Sequence, residues 1–139
     1  MANITVTVAD VRPLAGAVIR RAKATEALAF GDIVYIDSAT GAIPNVSKAL
    51  ATGLDTGHAY GIVVSGALGG TSVAIGEASD VVVLGPVTGY TDLTAGGTVW
   101  VSDTAGLLSS TVGTCSCILG VAESVTTVLV RPVEAVRST

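Results

Sequence analysis

Side chains able to do covalent or metal chemistry are few in this chain, and their spacing decides what they can do. His58 is the single histidine. A serine hydrolase would need that imidazole beside a serine in a nucleophile elbow with an acid behind it, and no such run surrounds any serine. Cys115 and Cys117 alternate with Thr114 and Ser116, so in a strand both sulfurs point to one face. Residues two apart cannot close a disulfide without distortion. A zinc site would need two further ligands, which no patterned carboxylate supplies. The pair reads as two small buried apolar side chains in a reduced, cytosolic compartment.

Gly66-Ala67-Leu68-Gly69-Gly70 has the glycine density of a phosphate-binding loop, without its lysine or its strand-to-helix setting. Asp80, Asp92, Asp103 and Glu123 fall singly at turns or strand ends, where aspartate commonly shapes a turn. Tyr35 and Trp100 are each flanked by valine or isoleucine. They suit a core or subunit seam first and a carbohydrate-stacking platform second. The pattern predicts no catalytic residue, no metal and no cofactor; the chain reads as a building part rather than an enzyme.

Charge is the next clue. Arg12, Arg20, Arg21 and Lys23 fall within residues 11–25 with no acid among them, whereas ten acids face three bases from Glu26 onward. An acidic body argues against nucleic acid as the main partner, because phosphate binding needs a basic face. The basic segment is either an arm that seeks an acidic protein surface or a solvated strand. Ile4, Val6 and Val8 alternate with Thr5 and Thr7, a β-branched strand in need of a partner. Residues 1–24 therefore read as an extended N-terminal arm. Its candidate contacts to another protein are Ile4, Val6, Val8, Arg12, Arg20, Arg21 and Lys23.

At 139 residues the chain holds one domain's worth of core. Half its residues are apolar and only 13% are charged, against about 25% in a typical soluble domain. That deficit suggests a surface partly covered by other chains, and thus a homo-oligomer. The uncharged stretches 56–76 and 104–122 are long enough to span a bilayer, but Gly, Ser and Thr interrupt both and neither has basic or aromatic flanks. No membrane association and no secretory signal is expected.

The elements that must position these residues are short strands with glycine joints. Strands are expected at residues 33–37, 60–65, 72–75, 80–84, 98–102, 117–122 and 126–131, and one helical turn at 47–51 capped by Asn45 or Ser47. No amphipathic run of helical length occurs. The expected class is all-β, a compact small barrel or sandwich over residues 25–133, with a tail at 134–139.

That body is written twice, at about 30–88 and 96–133. Phe30-Gly31-Asp32-Ile33-Val34-Tyr35 returns as Gly96-Gly97-Thr98-Val99-Trp100-Val101, and Tyr60-Gly61-Ile62-Val63 as Leu119-Gly120-Val121-Ala122. Asp80-Val81-Val82-Val83-Leu84-Gly85-Pro86 returns as Thr126-Thr127-Val128-Leu129-Val130-Arg131-Pro132. Matched offsets shrink from 66 (Gly31 to Gly97) through 59 (Gly61 to Gly120) to 46 (Pro86 to Pro132). Two related strand-turn-strand units, the second with shorter loops, are predicted to share one core.

The order of these runs, an arm followed by Glu26 to Asp37, Tyr60 to Val63, Gly85 to Tyr90, Gly97 to Gly106 and Ile118 to Val130, resembles the capsid decoration, or cement, proteins of tailed bacteriophages. The resemblance covers Val18 to Pro132, and its motifs are structural. It implies a virion protein, made in the host cytoplasm, that binds the outer capsid surface as a trimer. There it would clamp neighbouring copies of the major capsid protein. A tail or head-fibre component is the alternative, and a small β-barrel ligand-binding domain a more distant one.

Overall fold

The computed structural model describes residues 3–39 and 41–132, and the backbone of 136–137. The N-terminal segment carries β1 (Thr5–Val6), β2 (Arg12–Pro13) and β3 (Val18–Ala24). The first unit follows with β4 (Leu28–Ala29), β5 (Ile33–Ala39), β6 (Pro44–Lys48), the single turn α1 (Leu54–Gly57), β7 (Gly61–Gly66), β8 (Ser72–Val73) and β9 (Ala78–Thr88). The second unit comprises β10 (Tyr90–Thr91), β11 (Thr98–Val101), β12 (Leu108–Ser109), β13 (Cys115–Ser116), β14 (Ile118–Ala122) and β15 (Thr127–Val130), with β16 (Val136–Arg137) against β13.

The chain is nearly all β, and five of its strands close into a barrel. Around the ring, β3 pairs with β9, β9 with β7, β7 with β5, β5 with β6, and β6 returns to β3. All pairings are antiparallel except β3 with β6. Closure covers sheet edges that would otherwise expose main-chain groups, except where β3 runs beyond its two pairs with β6. The valine and isoleucine runs read as strands are buried on both faces of the ring: Ile33, Val34, Val46, Ile62, Val63, Val81 and Val82 are all fully buried.

β9 is longer than expected, because the strand continues past Leu84. Gly85 takes φ +113°, and a Cβ there would stand 2.6 Å from the Ala17 Cα. Only glycine satisfies both the dihedral and the close approach. Beyond this bend, Gly85 to Thr88 pair with β15. Then β15 pairs with β14, β14 with β11 and β11 with β12, extending a second antiparallel set from the same long strand.

The hydrogen-bond ladder identifies equivalent positions in the two units. Gly31 N donates to Val63 O at 2.8 Å, as Gly96 N does to Ala122 O at 2.7 Å. Val63 N donates to Asp32 O at 3.0 Å, as Ala122 N does to Gly97 O at 2.9 Å. Gly31 therefore corresponds to Gly96, one residue before the expected Gly97. A double glycine in the second copy permits two alignments, and only the ladder separates them. Gly61 lies opposite Val34 and Gly120 opposite Val99. The same one-residue correction applies to the prolines. Ile62 faces Val82 and Val121 faces Leu129, so Pro132 corresponds to Gly85 rather than Pro86.

Residues 3–24 are extended apart from a 3-10 turn at Val8–Asp10, which ends the expected Ile4-to-Val8 strand at Val6, and they lie along the body. Thr5 and Val6 pair with Thr91 and Tyr90, and Arg12 and Pro13 with Thr88 and Val87. Asn3 bridges to Ser109, and Ile4 N donates to Leu108 O at 2.9 Å. The segment thus runs from β12 to β9, the two outer strands of the second set, and spans the gap between them. Val18 to Ala24 goes further and becomes a barrel strand. Ile4 and Val11 are core residues, which ties this stretch to its own domain by apolar burial.

The helical turn expected at 47–51 is absent. Residues 44–48 form β6, held between β5 and β3, and this pairing outweighs a weak local preference. Asn45 donates to Ser38 Oγ at 3.0 Å instead of capping a helix. The one α-helical turn among the described residues lies later, at Leu54–Gly57 after Gly53. Ser38 to Gly41, with the turn chemistry of a hairpin, include Thr40, which lies outside the described residues, as does most of the expected 134–139 tail.

Candidate interaction face

The polar groups of the interior serve the fold. Tyr90 is fully buried, and its hydroxyl donates to Gly31 O at 2.8 Å, tying the second unit to the first turn of the barrel. Asp32 accepts the Ala29 N–H at 2.9 Å, and burial raises its pKa above the ordinary carboxylate value. At the surface the exposed Asp37 accepts from Ser47 Oγ at 2.9 Å, and Ser47 in turn contacts the Thr25 hydroxyl. The Cys115 and Cys117 thiols are free and buried, and burial pushes Cys117 up to about 11. A thiol so shifted is a poor nucleophile at neutral pH. Among the described residues no three His, Cys, Asp or Glu side chains are placed to hold a metal ion, and no helix is long and apolar enough to cross a membrane.

The sequence-predicted contacts divide into two groups. Ile4 is buried, while Val6 and Val8 pack partly buried against the core, so their apolar surface is used within the chain. The strand expected to need a partner has one within the chain, since β1 pairs with β10. Arg12, Arg20, Arg21 and Lys23 are exposed, the last three on β3. Arg21 stands opposite Asp80 in register, and the two side chains meet at 3.4 Å, with Ser65 Oγ donating to the other Asp80 oxygen at 2.8 Å. The pair is solvent-exposed and contributes little to stability.

Beside these cations lies apolar surface that the sequence did not single out. Val18 and Leu84 are cross-strand partners, 45% and 49% exposed, and Ile19 next to them is 45% exposed. Val18 to Arg21 are all exposed, so neither of the two consecutive apolar side chains is covered. Among the described strands β6 reaches β3 only at Lys23 and Ala24, leaving Val18 to Ala22 paired with β9 alone. The result is a rigid strand edge with apolar residues at one end and arginines and lysine along it.

A second exposed apolar feature sits at the loop end of the barrel. Leu68 and Ile75 are 82% and 72% exposed. Glu77 joins their two loops, accepting the Leu68 N–H at 3.0 Å and the Ala74 N–H at 2.9 Å. Those two hydrogen bonds hold its carboxyl below the ordinary value. Sequence reasoning passed over this tip because its glycines obscured the two aliphatic residues between them.

No protein family, curated protein or solved structure matches the chain.

Proposed function

We propose that this protein is a structural component of a phage virion. It binds the outer surface of the capsid and stabilises the shell by clamping neighbouring capsomers. The observation that carries the reading is the β3 edge: exposed Val18 and Ile19 continue into Arg20, Arg21 and Lys23 on a strand that is paired on one side over most of its length. An acidic segment of the major capsid protein can add to that edge through main-chain hydrogen bonds. Arginine beside apolar surface is also the composition that protein interfaces favour.

A small closed barrel suits such a task, since it resists deformation and brings its contacts already positioned. The exposed aliphatic tip at Leu68 and Ile75 supplies further surface for self-association, and we assign the shell-bound form as a trimer. The test is electron cryo-microscopy of undecorated shells mixed with the purified protein. Density in threes on the outer surface, at the joints between capsomers, supports the proposal. Bare shells, or density confined to tail or fibre structures in whole virions, overturn it.

A further inference from the structure

The corrected alignment of the two units has a chemical consequence. With Val34 opposite Gly61 and Val99 opposite Gly120, the next residues, Tyr35 and Trp100, become equivalent. Each stands opposite a buried serine in the hairpin partner, Ser47 for Tyr35 and Ser109 for Trp100. Both aromatic rings are half-buried, and each lines a surface cleft. The Trp100 cleft is about 340 Å³ and the Tyr35 cleft about 470 Å³. Both volumes lie in the range of small-ligand sites, roughly 300–1,000 Å³.

The lining narrows the ligand class. Around Trp100 are the short hydroxyl, amide and carboxylate side chains of Asn3, Thr5, Thr91, Asp92 and Thr98. Around Tyr35 are Tyr60, His58, Asp37 and Asp55. No lysine or arginine among the described residues lines either cleft, so nothing there would neutralise a phosphate. An aromatic plate offers its electron-rich face to polarised C–H groups, and the surrounding polar side chains offer donors and acceptors to hydroxyls. This combination suits the two faces of a pyranose ring.

Asp92 adds an independent observation. It is the one non-glycine among the described residues with positive φ, at +62°. Aspartate is among the few L-residues that adopt this conformation readily, and here it sets an exposed carboxylate in the bend beside the Trp100 cleft. Its side chain lines the Trp100 cleft, where a carboxylate can accept from two neighbouring sugar hydroxyls.

The geometry points to a pair of neutral-saccharide sites, one on each unit, with Trp100 and Tyr35 as stacking residues and Asp92 as the hydroxyl acceptor of the first. This goes beyond attachment to a shell and does not depend on it: a protein bound through β3 would carry both functions on different surfaces.

Trp100 is the only tryptophan, so its emission reports directly on that cleft. The probes are neutral hexasaccharides of glucose, galactose, mannose and N-acetylglucosamine, with tetramethylammonium as a cationic control. At least one hexasaccharide is expected to shift the emission to the blue and saturate at about 1 mM. Calorimetry with that sugar should find two sites in the wild type and one in Tyr35→Ala. Asp92→Asn keeps a residue that tolerates positive φ and is expected to fold as the wild type while binding about tenfold more weakly at the Trp100 cleft. Trp100→Ala, followed by calorimetry, should lose the same site. The inference is overturned if no hexasaccharide shifts the emission up to about 10 mM, if Asp92→Asn binds as the wild type does, or if tetramethylammonium saturates the cleft and the sugars do not.

Discussion

Gly61 and Gly120 occupy the same place in two different strand sets. A Cβ on Gly61 would overlap the Val82 carbonyl oxygen on β9, and a Cβ on Gly120 would overlap the Leu129 carbonyl oxygen on β15. Neither glycine has a positive φ, so what each position requires is space between strands rather than an unusual dihedral.

Gly61→Ala and Gly120→Ala should therefore each destabilise the fold by about 1–3 kcal/mol, because a strand must shift to admit the methyl group. Gly41→Ala is the control, since nothing lies within 4 Å of a Cβ there and its φ is not positive. Denaturant midpoints measure the three variants. Equal midpoints for Gly41→Ala and Gly120→Ala would show that the two strand sets are not packed as described.

Deletion of residues 2–12 should unfold or strongly weaken the body, rather than release a dispensable arm. The deletion removes Ile4 and Val11 from the core, and burial of two such side chains contributes about 3–6 kcal/mol. It also removes the strand pairs to Thr91 and Thr88. Thermal unfolding followed by circular dichroism decides the point. A truncated chain that melts with the full-length protein contradicts the placement of this segment.

Much of this fold is legible from residue pattern, and the misreadings have physical causes. Short runs of valine and isoleucine bounded by glycine mark β5, β7 and β11 as strands, and only β11 shows the clean alternation of one buried face. The pairing of Thr5 with Thr91 joins residues 86 positions apart, which local pattern cannot reveal. Gly85-Pro86 carries the signal of a strand end, yet the proline lies within β9, facing Leu129, after a bend that only tertiary contact with Ala17 explains. The β3 cations were visible as a charge run. The apolar residues beside them were not, because their exposure depends on a tertiary pairing: β6 reaches β3 only at Lys23 and Ala24.

Asp32 gives the protein a defined response to acid. Burial raises its pKa, with Glu26 adding to the rise and the Ala29 N–H and Lys48 opposing it. A carboxyl whose folded pKa exceeds its unfolded value binds its proton more tightly in the folded state. Its penalty is complete above the folded pKa and disappears as pH falls below the unfolded value of 3.8. Asp32→Asn should match or exceed the wild type in Tm at pH 7, and the difference should narrow toward pH 4. A difference that is constant with pH would show that the Asp32 carboxyl is not shifted.

Glu77 should act locally. In Glu77→Ala the Leu68 and Ala74 amides lose their acceptor, so their hydrogen exchange is expected to quicken by about tenfold while the global Tm changes little. Unchanged protection at both amides would mean that the two loops are held by something else.

The central claim, that the protein grips a capsid through the β3 edge, is tested most directly by co-sedimentation with undecorated shells. The comparison is between the wild type and Arg20→Glu/Lys23→Glu, two substitutions at exposed positions. The wild type should pellet with the shells at physiological salt. The double variant, folded by circular dichroism, should bind at least about tenfold more weakly, and salt should slow wild-type association by screening these charges. A wild type left in the supernatant, or a charge-reversed variant that pellets equally well, contradicts the account.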